Sequence, residues 1–198
     1  MALSEARYRD IIAVYPQQGG RRWLFKAPLY AWRLGFGAFM PPTFVLLTTR
    51  GRKSGLPRRT MVESTLVDGN YYVISAWGER ADWLKNIESD PNVTLQVPRV
   101  GAFGGKAKRC TDEAHFRLVF QHFQRSPALK PYLEQLGIPF TLEAFIENKD
   151  RIFMVVITPL ADLPLPPQNA DWAWVWAVLA VLLALGRLVR RPKVVRSV

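Results

Sequence analysis

The 198 residues carry 27 Lys+Arg against 16 Asp+Glu, a net charge of +11, and 49% of them are apolar. That apolar share builds a core and excludes a mainly disordered chain, and the length suits one domain with an appendage. A single cysteine, Cys110, excludes an internal disulfide framework and a multi-cysteine metal site.

The charge is concentrated at the two ends. Residues 1–63 hold 11 basic and 3 acidic side chains, whereas residues 64–186 hold 11 and 13. Arg187, Arg190, Arg191, Lys193 and Arg196 then fill the last twelve positions with no acid among them. A nucleic-acid binder spreads cations over its folded face. The slightly acidic middle therefore argues for phosphate or lipid recognition at the ends and against nucleic acid.

In chain order, residues 1–42 form an N-terminal segment that Glu5 and Asp10 distinguish from a secretory signal. Within it, Arg21, Arg22, Lys26 and Arg33 alternate with Trp23, Phe25, Tyr30, Trp32 and Phe36, a pattern suited to a membrane interface. A helix packed on its own domain with its basic ends turned outward is the alternative. Residues 44–49, 60–67 and 71–76 read as strands, the last two joined at an Asp68-Gly69 hairpin turn. Asp82–Ser89 reads as a helix stopped at Asp90-Pro91. Strands follow at 93–97 and 102–110, with Gly104-Gly105 marking a bend or bulge. Phe116, Val119, Phe120 and Phe123 recur at helical spacing, a second helix covers 128–136 up to Gly137, and 152–158 is a last strand. Short, hairpin-linked strands with few helices predict a mainly β chain, a small antiparallel barrel at 43–158 with helices on its flank.

The prolines of 159–171 predict a stiff linker. Residues 172–186 carry no charge, and a helix over 172–189 falls short of the ~20 residues that span a bilayer. It is predicted to insert into the membrane, ahead of a basic tail at 190–198. If it spanned, the positive tail would draw the barrel to the outer side. Entry into one leaflet instead keeps the barrel on the cytoplasmic face, and that is the expectation.

Several chemistries are missing. His115 and His122 lie seven apart with no third metal ligand nearby, and Glu63 stands alone in its strand. Gly35 and Gly37 lack the third glycine of a dinucleotide fingerprint, and Lys53-Ser54 lacks a Walker glycine. What remains is 47–60, LTTRGRKSGLPRRT, where Arg50, Arg52, Lys53, Arg58 and Arg59 crowd around Ser54 and two glycines. Such cations repel one another unless an anion offsets them, and glycine lets backbone N–H groups approach that anion. A second segment, 74–86, ISAWGERADWLKN, offers small residues at a strand end with Trp77 and Trp83 to wall a flat ring.

Together these segments, T-T-x-G-R-K-S-G-x-P-R, the D-G hairpin, W-x-x-N and D-P-N-V, resemble the deazaflavin (coenzyme F420)-dependent nitroreductase family. Its members are split β-barrel oxidoreductases related to barrels that bind flavin mononucleotide (FMN). The resemblance covers roughly residues 25–158. It implies that Arg52, Lys53 and Ser54 grip the phosphate and polyglutamate tail of F420, with Arg58, Arg59 and Thr60 continuing the contact. It implies Ile74, Ser75, Ala76 and Trp77 along the deazaflavin ring, and Asp82, Trp83, Leu84, Lys85 and Asn86 closing over it. Tyr132 stands where the family has a substrate-side tyrosine, and a homodimer is a further implication. The resulting expectation is a membrane-associated reductase passing hydride from F420 to a lipophilic acceptor, a quinone or nitro compound, at a surface of anionic lipid. An FMN- or haem-binding barrel and a non-catalytic cofactor-binding membrane protein are the alternatives.

Overall fold

The computed structural model describes residues 20–124 and 129–189; residues 1–19, 125–128 and the basic tail 190–198 lie outside the described residues. Strand β1 (Phe44–Arg50), β2 (Pro57–Val67), β3 (Asn70–Ile74), β4 (Asn92–Val97), β5 (Gly101–Cys110) and β6 (Met154–Leu160) form a closed barrel. Its order is β1-β2-β3-β6-β5-β4 and every neighbouring pair is antiparallel, so no strand edge is left open. The helices are α1 (Gly20–Arg33), α2 (Asp82–Ser89), α3 (Glu113–Phe123), α4 (Leu129–Leu136), α5 (Leu142–Glu147) and α6 (Trp174–Val189). The predicted barrel with flanking helices is thus the observed fold.

Alternation along the strands separates two cores. Val45, Leu47, Tyr71, Val73, Val93, Leu95, Val155 and Ile157 share the interior cluster with Trp83, Leu84 and Ile87 of α2. Tyr72, Met154 and Cys110 belong to a second cluster with Phe116, Phe120, Leu133 and Phe145 of α3–α5. The two faces of β3 and β6 therefore serve different layers. Asp68 and Gly69 both take positive φ (47° and 76°), the pair of values a type I′ hairpin turn needs.

Several boundaries move. β2 begins at Pro57 rather than 60, because Arg50↔Pro57, Thr49↔Arg58 and Thr48↔Arg59 extend its ladder with β1. β3 ends at Ile74: the Ser75 amide makes one more bond toward β6, to Phe153 O (2.9 Å), and the Gly78 amide then donates to Ser75 O (3.1 Å) and turns the chain. Gly104 and Gly105 mark no bulge: the β4–β5 register runs unbroken through both. They are close-approach sites, where a Cβ would lie 1.8 Å from Asp162 O and 2.6 Å from Ile157 respectively. Helix α5 was not anticipated; Thr141 caps it, its Oγ1 accepting from the Ala144 amide at 3.2 Å.

The proline-rich stretch lies along the outside of β4. Thr94 Oγ1 donates to Leu165 O (2.8 Å) and accepts from Leu165 N (3.2 Å). Gln96 does the same for Gln168, accepting its amide at 2.6 Å and donating to its carbonyl at 3.0 Å. The β4 backbone is already paired with β1 and β5, so it is these outward-facing side chains that hold the strap against the barrel, and Leu165 is buried there. Beyond this strap, α6 contains 16 residues, about 24 Å of helix. Among the described residues no helix is long and apolar enough to cross a membrane.

Candidate functional site: a cationic cleft beside the barrel

The β1–β2 loop is built to hold its shape. The Gly51 amide donates to Leu56 O (2.9 Å), and the Gly55 amide closes onto Gly51 O (2.7 Å) with φ at 67°. A side chain at Gly51 would meet Ser54 Oγ at 2.8 Å and displace the Ser54 and Arg58 side chains that pack over it. Ser54 Oγ in turn accepts from the Leu56 amide (3.4 Å) and Arg58 Nη2 (3.1 Å).

Helix α2 then pins the loop. Asn86 is buried, and its Oδ1 accepts from both the amide (3.2 Å) and Nη1 (3.1 Å) of Arg52. Its Nδ2 donates to Thr49 Oγ1 at 3.0 Å. Arg52 Nη2 also pairs with Asp82 Oδ1 at 3.0 Å, and Arg50 Nε with Asp90 Oδ2 at 2.9 Å. Burial works to raise the Asp90 carboxyl, but the Asn92 amide and Arg50 outweigh it and hold the group below its ordinary range.

Between this loop, α1 and α2 lies a cleft of about 620 Å³. Six cations line it, Lys26, Arg33, Arg52, Lys53, Arg58 and Arg59, against one acid, Asp82. Arg33 is paired with Asp171 and Arg52 with Asp82, and the remaining surplus of Lys26, Lys53, Arg58 and Arg59 suits an anionic occupant. Arg59 is half-buried and donates Nη2 to Pro166 O (3.2 Å), yet its Nε is buried without a hydrogen-bond partner among the described residues. Burial lowers its pKa, so an anion brought alongside would relieve a strained cation. Lys53 makes no hydrogen bond or ion pair among the described residues. Trp77, Trp83, Leu29 and Met61 add apolar wall, the type of surface a flat ring packs against.

Of the residues singled out from the sequence, Arg52, Lys53, Ser54, Arg58, Arg59, Thr60, Trp77, Asp82, Trp83 and Asn86 converge on this cleft. Ile74, Ser75, Ala76, Leu84, Lys85 and Tyr132 do not line it. Leu84 is fully buried in the barrel interior, and Ser75 is buried with Oγ donating to Gly78 O at 2.9 Å. Ala76 is exposed, Lys85 is half-buried on α2, and Ile74 packs toward the outer helices. Tyr132 packs there too, its hydroxyl donating to Ser75 O at 3.5 Å.

Sequence reasoning missed Lys26, Leu29, Arg33, Met61 and Gln168 as cleft residues, whereas Thr49, Gly51 and Pro57 lie within the 47–60 segment it singled out. The spacing of 26, 29 and 33 on one helical face was an available signal. Nothing local marked Gln168, which arrives by way of the strap.

A closed six-stranded antiparallel barrel with flanking helices defines a split-barrel protein, here with a cationic, aromatic-walled cleft on its flank. Residues 33–143 match the family described as F420H(2)-dependent quinone reductase, and the chain belongs to that family. It is accordingly an F420-dependent oxidoreductase, with coenzyme F420 as its cofactor. Among solved structures it is similar to an F420-H2-dependent reductase, FDR-A, at 23% identity over 58% of this chain and 92% of that one, TM-score 0.43. It is also similar to the heme storage protein HutZ of Vibrio cholerae, at 12% identity over 73% and 97% of the two chains, TM-score 0.45. A third similar structure, described as a domain-swapped dimer, shares 20% identity over 70% and 98%, TM-score 0.46. A search of curated proteins finds no match.

Proposed function

We propose that this reductase acts on a lipophilic quinone drawn from a bilayer, holding F420 in the cleft between α1, the β1–β2 loop and α2. One observation carries the placement: ten residues selected from two separate sequence segments line one cleft with a sixfold cationic wall. The acidic phosphate and glutamates of F420 match that wall, and the unpartnered Arg59 Nε is a donor in want of such a group. Lys53, Arg58 and Arg59 would hold the acidic tail. Arg52 serves differently, since Asn86 and Asp82 already engage it, and it fixes the loop that presents Lys53.

When bound and reduced, the cofactor supplies a hydride; the quinone takes this hydride and one proton and leaves as the quinol. The chain's part is to bind, orient and exclude water. Trp77 and Trp83 would flank the ring, and Leu29 and Met61 give the cleft the apolar surface a quinone requires. Nitro compounds would compete as hydride acceptors of similar electron demand.

The test is oxidation of reduced F420 followed by absorbance, with a water-soluble quinone, with a nitroaromatic, and with menaquinone in vesicles. The proposal expects turnover with both quinones. Oxidation by the nitroaromatic with neither quinone oxidising F420 would overturn it.

A further inference from the structure

Beyond its first turn, through residue 185, helix α6 is apolar on every side and uncovered. All of residues 176–185 are exposed, Val181, Leu182 and Leu183 by 57%, 58% and 65%. A surface helix in water keeps a polar face, and the sequence WAVLAVLLAL offers no such face.

The base of this helix is nevertheless firmly held. Trp172 N donates to Arg33 O (2.9 Å), and Trp176 Nε1 donates to Leu34 O (2.8 Å). The Arg33 guanidinium grips Asp171 through Nη2 (2.6 Å) and Nε (2.9 Å) and lies 3.8 Å above the Trp172 ring. Tyr30 stacks on Trp172 at 5.7 Å. Arg33 thus belongs at once to this joint and to the cleft wall. Beside the joint, the Phe36–Phe39 turn extends the apolar surface: Phe36 meets Trp176 edge-on at 5.3 Å, and Phe39 is 78% exposed.

Charge decides what covers this surface. The chain beyond residue 186 carries five cations and no acid. A second copy packed in parallel would bring two such ends together, whereas anionic headgroups neutralise them. Over its described residues α6 runs about 24 Å against a core of roughly 30 Å, short of a span and long enough to enter one leaflet.

We infer that α6 and the Phe36–Phe39–Trp176 patch form a seat for an anionic bilayer, and that the Arg33–Asp171–Trp172 joint sets the cleft's α1 wall at the lipid surface. This rests on the reading of a bilayer-borne acceptor, and it adds the surface and the lipid class.

The experiment uses the full chain, flotation with phosphatidylglycerol-containing or purely phosphatidylcholine vesicles, and the double variant Leu182→Asp, Leu183→Asp. Wild type should float with anionic vesicles at least about tenfold more tightly than with neutral ones, and high salt should weaken it. Brominated lipid should quench tryptophan fluorescence in the bound wild type. The variant should lose about tenfold or more in flotation and in turnover with vesicle menaquinone. It should keep turnover with a water-soluble quinone within about twofold, which also reports that it folds. Wild type that ignores anionic vesicles, a variant that floats as well as wild type, or a variant that only splits a dimer would overturn the seat. Loss of soluble-quinone turnover in wild type itself would instead count against the acceptor reading and leave flotation to be judged by itself.

Discussion

The β1–β2 loop and α6 each carry a composition unsuited to a plain water-facing surface, and the fold treats them oppositely. The loop concentrates cations, and the protein answers it from within, through Asn86, Asp82, Asp90 and Ser54. Helix α6 concentrates apolar groups, and the protein answers only its first turn. A site for a small ligand has to be preorganised, so its donors are aimed before the ligand arrives. A surface for a bilayer needs no such aim, only an anchored base and a free apolar body.

The comparison breaks most readily at Asn86. Asn86→Ala removes three hydrogen bonds and leaves Thr49 and the Arg52 amide short of a partner. The expected cost is about 1–3 kcal/mol of stability, together with weaker F420 binding, while vesicle flotation is unchanged. Thermal unfolding and an F420 titration measure the first two, and a loop that keeps its affinity in this variant is not preorganised by α2.

A smaller effect lies at the joint between the two regions. The hydrogen bond from Arg33, followed by its charge, holds the Asp171 carboxyl below its ordinary value. A depressed folded pKa means the stabilising contact is fully present above the ordinary value of about 3.9 and is lost as pH falls through the lower folded value. The Trp172 amide and Trp176 indole resonances should therefore stay fixed from neutral pH to about 4 and move only below it. Asp171→Asn should shift them at neutral pH. Resonances that titrate near neutrality would show that Asp171 does not hold the joint.

The smallest effect is expected at Tyr132. Its hydroxyl reaches Ser75 O at 3.5 Å from outside the cleft lining, so Tyr132→Phe should leave kcat with a soluble quinone within about twofold. A fall of tenfold or more with F420 affinity intact would make this hydroxyl a proton donor to the acceptor.

What the sequence disclosed follows the same division. Asp68-Gly69 and Asp82–Ser89 were legible because their signals are local: a turn dipeptide, and a helix ended before proline. The loop was legible as a site because five cations within ten residues need an external reason. Pro57, Arg58 and Arg59 were not legible as strand, since only pairing with Arg50, Thr49 and Thr48 makes them so. The strap of 164–168 was unreadable for the same cause: Thr94 and Gln96 reach it across more than seventy residues. Lys26 and Arg33 were noticed as basic residues among aromatics, but their place on the cleft depends on α1 lying beside the loop.

If the cationic cleft holds the acidic end of F420, Lys53 reports it most cleanly, because no internal bond of the described structure is lost with its side chain. Oxidised F420 is titrated into wild type and Lys53→Ala, with fluorescence as the readout. A charge-assisted contact to the cofactor predicts affinity weaker by about tenfold or more, with thermal stability unchanged. Equal affinity in the two proteins would mean that the acidic end of F420 lies elsewhere.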